Sequence, residues 1–337
     1  MDLIYTNTKK EDVGVFLDFA LDLAFGSDEN DFELTVIQEN HVAEAGCFIY
    51  IQDTEYGGLI DAVTSDTGTK EVTYSGRTWH GLLNSKIIEC TDNLDFPFDY
   101  PIDYGGTHLI VSGDANTILS DLITQMGLTS LFTVDPNASG ITVKRYTFAR
   151  YCPGYDGIAK MLASVGAKLH IEHDGTNVVL SAVPVMDYTK GVIDSDIMTM
   201  TVKKTKNKVN HLICLGGGEL SDRTIVHLYA DKDGNISQQQ TFTGVDEYVA
   251  TYDYSNAESE GELIEGGTER FEELLQQDEL SVDIAESDNG YDIGDIVGAT
   301  DNITGISIAV PVTKKIVRIE GDHITIDIET STENAIK

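Results

Sequence analysis

Residues 55–89 read EYGGLIDAVTSDTGTKEVTYSGRTWHGLLNSKIIE, and this stretch decides the architecture. Apolar and polar residues alternate through Leu59, Ile60, Ala62 and Val63, and again through Val72, Tyr74 and Arg77, with Thr67-Gly68 between the two runs. Alternation on both sides of a short glycine turn predicts a β-hairpin. The second arm ends in Gly76. Trp79, Leu82 and Leu83 then fall at near-helical spacing before Ile87-Ile88 resumes an extended run. A short helical turn is therefore expected to plug one end of the sheet, an arrangement that belongs to a small barrel or sandwich.

Toward the N-terminus, Leu17, Leu21, Leu23 and Phe25 lead into an acidic turn over Gly26 to Asp31, after which Phe32, Leu34 and Val36 alternate as a strand. Phe48, Tyr50 and Gln52 continue a further strand toward the hairpin. Ser27-Asp28-Glu29-Asn30 reads as a loop, because Asp and Asn are ordinary turn residues. Residues 1–90 are thus expected to form a first β-barrel domain.

Thr91 to Thr107 has no clean period and is dense in aromatic, Pro and Asp residues, which marks a linker or crossing loop. A helix is expected from the Gly113-Asp114 boundary, with Ile118, Leu119, Leu122, Ile123 and Met126 on one face and Gly127 closing it. A strand around Ile141 and Val143 follows, then a second helix carrying Ile158, Met161, Leu162 and Val165 and ending at Gly166. KLHIEHDGTNVVLSAVP is a hairpin turning at Asp174-Gly175. Two helices on a small sheet make residues 91–187 an inserted α+β domain. His170, Glu172 and His173 invite a metal reading, but period-2 geometry puts His170 and Glu172 on one face of a strand and His173 on the other.

From Met198 the chain returns to β, and residues 188–337 are expected to hold a second β-barrel with a helical excursion near 255–278. Gly216-Gly217-Gly218 lacks the GK[ST] of a phosphate loop and precedes a strand, so a tight turn or bulge is expected. The twelfth position counted from Asp231 is Phe242 rather than Glu, which makes DKDGN a hairpin turn rather than a calcium loop. Lys203, Lys204, Lys206 and Lys208 read as the only basic cluster, which either pairs with an acidic neighbouring subunit or touches passing DNA, or is an edge strand guarded against aggregation. The excursion NAESEGELIEGGTERFEELLQQ carries Leu263, Ile264, Phe271, Leu274 and Leu275 on a sparse stripe, and Gly266-Gly267 should weaken or bend it. Asp295, in YDIGDIVGA, reads as a turn-capping side chain.

Composition narrows the function classes. The 337 residues carry 57 acidic and 22 basic side chains, a net charge of -35 spread along the chain. That sign repels nucleic acid, whose affinity for proteins comes chiefly from Lys and Arg on phosphates. Its two readings are solubility and a negatively lined channel through which DNA slides without sticking. No stretch reaches the length of a membrane-spanning helix, and the first residues lack a signal-peptide pattern. Cys47, Cys90, Cys152 and Cys214 are far apart with no CxxC pair, so no zinc knuckle or redox motif is offered. No GxSxG, HExxH or Cys-His pairing occurs, while a carboxylate pair of the glycosidase kind is defined only in space. Neither catalytic residues, cofactors nor metal ligands are assigned.

The runs YGGLID and YSGRTWHGLLNSKIIE, then VNHLICLGGGEL with DRTIVHLYADKDGNI, and finally YDIGDIVGA with VTKKIVRIEG resemble the tail-hub proteins of long-tailed bacteriophages and prophages, the endopeptidase-tail type. The resemblance implies a mainly β fold of two small tail-hub barrels, an inserted α+β domain on the outside and one helical excursion. It implies a structural subunit of the virion tail, made in the bacterial cytoplasm. Three copies would form a ring below the tail tube that lets DNA pass without specific binding. Its partners would be the distal tail or tube protein, the tape-measure protein, and a tail fibre or lysin. Hub relatives that continue into a peptidase or lysozyme module have no counterpart expected within these residues. For the contacts, the Lys203, Lys204, Lys206 and Lys208 cluster and the loop with Phe96, Phe98, Tyr100 and Tyr104 are the expected interface. Rival readings are a tail-associated cell-wall hydrolase and a carbohydrate-binding host-recognition module.

Overall fold

In the computed structural model the described residues are 2–26, 29–89, 108–188, 209–218, 222–232, 234–257, 259–276, 290–300, 307–321 and 323–330. In chain order the strands and helices begin with β1 (Ile4–Thr6), β2 (Asp12–Val15), β3 (Phe19–Gly26), β4 (Asp31–Ile37), β5 (Phe48–Tyr50), β6 (Gly57–Asp66), β7 (Glu71–Thr78) and α1 (Trp79–Asn84). Next come β8 (Ile87–Ile88), β9 (Ile110–Asp114), α2 (Ala115–Gln125), β10 (Phe132–Val134), β11 (Thr142–Thr147), β12 (Cys152–Pro153), α3 (Gly154–Ala163), β13 (Ala167–His173) and β14 (Val178–Pro184). The last group is β15 (His211–Leu215), β16 (Ile225–Ala230), β17 (Ile236–Ser237), β18 (Val249–Asp253), α4 (Glu260–Gln276), β19 (Ile296–Thr300), β20 (Ser307–Glu320) and β21 (His323–Thr330). They fall into two compact units, one drawn from Met1–Thr199 and Asp283–Thr330, the other from Met200–Val282. The protein is mainly β with α+β insertions.

In the first unit a ten-stranded sheet runs β19-β20-β3-β4-β7-β6-β5-β1-β2, with β21 also paired to β20. The predicted hairpin is β6–β7, and its arms slip register between Ile60 and Ala62. In β4 the buried Phe32, Leu34 and Val36 alternate with the exposed Asp31, Glu33 and Ile37, which is the pattern of a strand with one covered face. The sheet does not lie flat. Three strands separate β2 from β7 along the path, about 19 Å at the usual strand spacing. Phe16, the residue after β2, nevertheless packs edge-to-face on Tyr74 of β7 with ring centroids 5.4 Å apart. Leu3, Leu23, Phe25, Leu34, Ile49, Ile60, Val317 and Ile319 therefore share one core inside the curl. Removing one such aliphatic side chain from water is worth about 2 kcal/mol. No strand pair among the described residues joins the ends of this path, so the sheet is rolled but not closed by hydrogen bonds.

The sequence reading grouped the last strands with the second barrel. The structure instead pairs β20 with β3, from Lys314 opposite Gly26 to Glu320 opposite Ala20, so the final strands complete the first sheet. A second difference concerns α1. Its Trp79, Leu82 and Leu83 lie in a separate core shared with the inserted domain, while His80 of the same helix stacks on Phe25 of the inner core. Ile49 of β5 faces inward, whereas its neighbours Phe48 and Tyr50 face this outer core.

The insertion is built as its periodicity predicts. Asp114 caps α2, accepting from Asn116 N and Thr117 N, and Ile118, Leu119, Leu122 and Ile123 are buried along one face. In α3, Ile158, Met161 and Leu162 are buried. Both helices pack on the three-stranded sheet β10-β14-β13, in which β10 runs parallel to β14 and β13 antiparallel. His173 stacks on Tyr50 at 3.7 Å, while His170 and Glu172 stay half-exposed on the opposite face, as alternation along the strand requires.

In the second unit β17-β16-β15-β18 form a four-stranded sheet, with β15 parallel to β18. Gly216 N donates to Thr224 O and Thr224 N to Gly217 O, so the first two glycines continue the β15–β16 pairing. Asp231 closes the DKDGN turn by accepting from the backbone and side-chain nitrogens of Asn235. α4 buries Leu263 and Phe271 against this sheet.

Candidate functional site

The interface residues expected from sequence, Lys203, Lys204, Lys206 and Lys208 together with Phe96, Phe98, Tyr100 and Tyr104, lie outside the described residues. The described part of the first unit holds a different concentration of chemistry, a buried group of opposite charges gathered from five segments.

Each member is placed by local structure. Thr54 shapes the turn before β6, its Oγ1 donating to Ile51 O and accepting from Tyr56 N, and this sets Glu55 inward. Two backbone bonds, Asp53 N to His173 O and His173 N to Thr54 O, fasten that turn to the end of β13. His80 sits in the first turn of α1, stacked on Phe25 and edge-on to Tyr155, each at 5.0 Å. Lys168 lies on β13. Asp292 and Asp295 bracket a turn before β19 that needs Gly294, whose φ of +90° is strained for any residue with a Cβ. Lys315 comes from β20.

Lys315 Nζ lies 2.6 Å from Glu55 and 3.7 Å from Asp292, and Lys168 Nζ lies 3.1 Å from Asp292 and 2.9 Å from Asp295. Asp295 is 1% exposed. It caps the turn as the sequence suggested, accepting from Asp292 N and Met186 N, and it also anchors Lys168. Burial alone would lower Lys315, but Glu55, Tyr56 and Asp292 hold it well above the ordinary lysine value. Burial raises the Glu55 carboxyl against the pull of Lys315. Asp292 is lowered, its desolvation outweighed by Lys315 and Lys168. Burial pushes His80 down to about 3, so it is a neutral imidazole at physiological pH.

Chemically this group is a clamp. All three carboxylates are engaged by ammonium groups, and they join the N-terminal sheet, the insertion and the C-terminal strands. Sequence reading missed Glu55, His80, Lys168, Asp292 and Lys315. The available signal was the pair Lys314-Lys315 inside the apolar run of β20, since adjacent strand residues face opposite ways and one lysine had to meet a buried partner. Lys314 takes the other side, with Glu29 at 2.8 Å.

The second unit contains a hydrogen-bonded chain. Glu247 accepts from Gln240 Nε2 and His211 Nδ1, the latter at 2.7 Å, and His211 Nε2 lies 2.8 Å from His227 Nδ1. With Glu247 ionised, His211 must donate through Nδ1. Among the described residues, the hydrogen bond that ties His227 to this chain is the one to His211.

Exposed apolar side chains collect on edge strands. In the first unit β2 ends the sheet and carries Val13 at 57% and Val15 at 43% exposure, with Leu17 at 64% just beyond. In the second unit β18 ends the sheet, with Tyr248 and Val249 about half exposed.

No protein-family model matches the sequence, and no curated protein sequence matches it. Among solved structures, the fold is similar to the prophage tail protein gp18 from Listeria monocytogenes EGD-e, with a TM-score of 0.50 at 11% identity over 98% of this chain and 94% of that one. The 43 kDa tail protein of prophage MuSo2 from Shewanella oneidensis aligns with a TM-score of 0.47 at 11% identity, covering 99% of this chain and 98% of that one. The tail protein from Neisseria meningitidis MC58 aligns with a TM-score of 0.46 at 14% identity and the same coverage.

Proposed function

We propose that this chain is a structural subunit of a phage or prophage tail, a hub protein that assembles as a trimeric ring below the tail tube, passes DNA without binding it specifically and anchors distal components. The observation that carries this reading is the likeness to the prophage tail protein gp18, which spans both units and nearly the whole length of both chains. The edges β2 and β18, open among the described residues, support it, because an open strand edge with exposed apolar side chains is a template for a neighbouring chain. The net charge of -35 suits a lumen that repels a duplex. The tube protein, the tape-measure protein and a fibre or lysin are its proposed neighbours, and the Lys203 cluster and the Phe96–Tyr104 loop remain proposed contacts.

Mass measurement in solution tests the ring directly. A trimer is expected, and a monomer at high concentration refutes the hub. Incubation with purified peptidoglycan tests the hydrolase reading: no release of muropeptides is expected, and robust release would replace the structural role with an enzymatic one.

A further inference from the structure

In a chain this acidic, residues 136–155, PNASGITVKRYTFARYCPGY, contain no Asp or Glu. They hold Lys144, Arg145 and Arg150, all exposed, a second basic group that the sequence reading passed over. Lys144 and Arg145 sit where β11 slips register on β9, between Val143 opposite Gly113 and Tyr146 opposite Val111. That extra residue is a β-bulge, a device that re-aims side chains. Regular alternation would return Arg145 to the face on which Val143 is buried, whereas here both cations are exposed next to each other. Neither makes an ion pair among the described residues.

A surface cavity of about 440 Å³ opens beside them, lined by Thr142, Lys144, Arg145 and Tyr146 of β11 and by Ser164 and Val165 after α3. Its size is that of small-ligand sites, about 300–1,000 Å³. The Ser164 hydroxyl donates to Met161 O, which leaves its oxygen able to accept from a ligand. Tyr146 supplies an aromatic wall, held edge-to-face on Phe148.

We propose that this cavity binds a phosphate group carried on a sugar or polyol. Arg145 offers a planar fork and Lys144 a point charge to the phosphate oxygens. The Ser164 and Thr142 oxygens receive ligand hydroxyls. A long polyanion is disfavoured, because a net charge of -35 repels it over its whole length while a single phosphate feels mainly the nearest cations. Strand addition by a protein partner is disfavoured by the bulge, which breaks the edge.

The test is calorimetric titration of the full chain with glycerol 3-phosphate, with inorganic phosphate and with a single-stranded oligonucleotide. Saturable binding of glycerol 3-phosphate is expected, tighter than inorganic phosphate, and at least tenfold weaker in the K144Q/R145Q variant, whose circular dichroism should be unchanged. Ser164→Ala should narrow the gap between the two phosphates. Equal affinity for the two, binding undiminished in the double variant, no saturable binding, or preference for the oligonucleotide would each overturn the assignment. The site borrows nothing from the tail reading, so either can fail alone.

Discussion

At the residue scale, the buried clamp is the part of the molecule whose charges are most tightly interdependent. Removing Lys315 leaves Glu55 beside Asp292 with no ammonium between them. Breaking such a pair from one side costs about 3 kcal/mol, while replacing both partners by apolar groups is close to neutral. Lys315→Met is therefore expected to lower unfolding stability in urea by about that amount, and adding Glu55→Leu should return most of it. A single variant as stable as the parent would show that the clamp carries no weight. His80 adds a pH dependence of definite sign. Its folded value near 3 lies below the ordinary 6.5, so the unfolded chain takes up the proton first. Its contribution is complete above about pH 6.5 and declines by about 1.4 kcal/mol per unit as pH falls from there toward 3. Glu55, raised by burial, works in the opposite direction, so the isolating comparison is with His80→Phe. The variant should lose less stability between pH 7 and pH 5 than the parent, and parallel curves would refute the assignment.

At the scale of elements, α4 shows how packing overrides propensity. Sequence reading expects Gly266-Gly267 to weaken or bend the helix, and α4 continues across both. A Cβ on Gly267 would lie 2.5 Å from Cys214 Sγ and 3.1 Å from Leu228 Cδ1, so the glycine is what lets the helix approach β15 and β16. Alanine should gain up to about 1 kcal/mol of helix propensity and lose about 1–3 kcal/mol to the overpacked contact. Gly267→Ala is thus expected to lower the melting temperature, and Cys214→Ala in the same chain to recover it. Stabilisation by Gly267→Ala alone would mean that the close approach is not needed. α1 carries a related lesson. The spacing of Trp79, Leu82 and Leu83 identifies a helix, but not which of two cores it serves.

For the whole molecule, the edge β2, open among the described residues, is the feature that assembly would use. Val15→Glu places a charge on an exposed position, so the monomer should keep its stability to within about 0.5 kcal/mol. If the edge joins subunits, sedimentation should show the oligomer weakened at least tenfold; an unchanged mass would assign the contact to other surfaces.

What the sequence determined by itself was local. Alternation and helical spacing located the β6–β7 hairpin, α1, α2, α3 and the DKDGN turn, and Asp295 was recognised as a cap, because each depends on neighbours within a few residues. Only the tertiary structure decided that β20 pairs with β3 and that Glu55, Lys168, Asp292, Asp295 and Lys315 meet. Any alternating strand can complete a free edge, and the choice among edges is set by burial across the whole core. The same reason hid the neighbourhood of Lys144 and Arg145, since a bulge is a relation between two strands and leaves no mark in the order of residues along one.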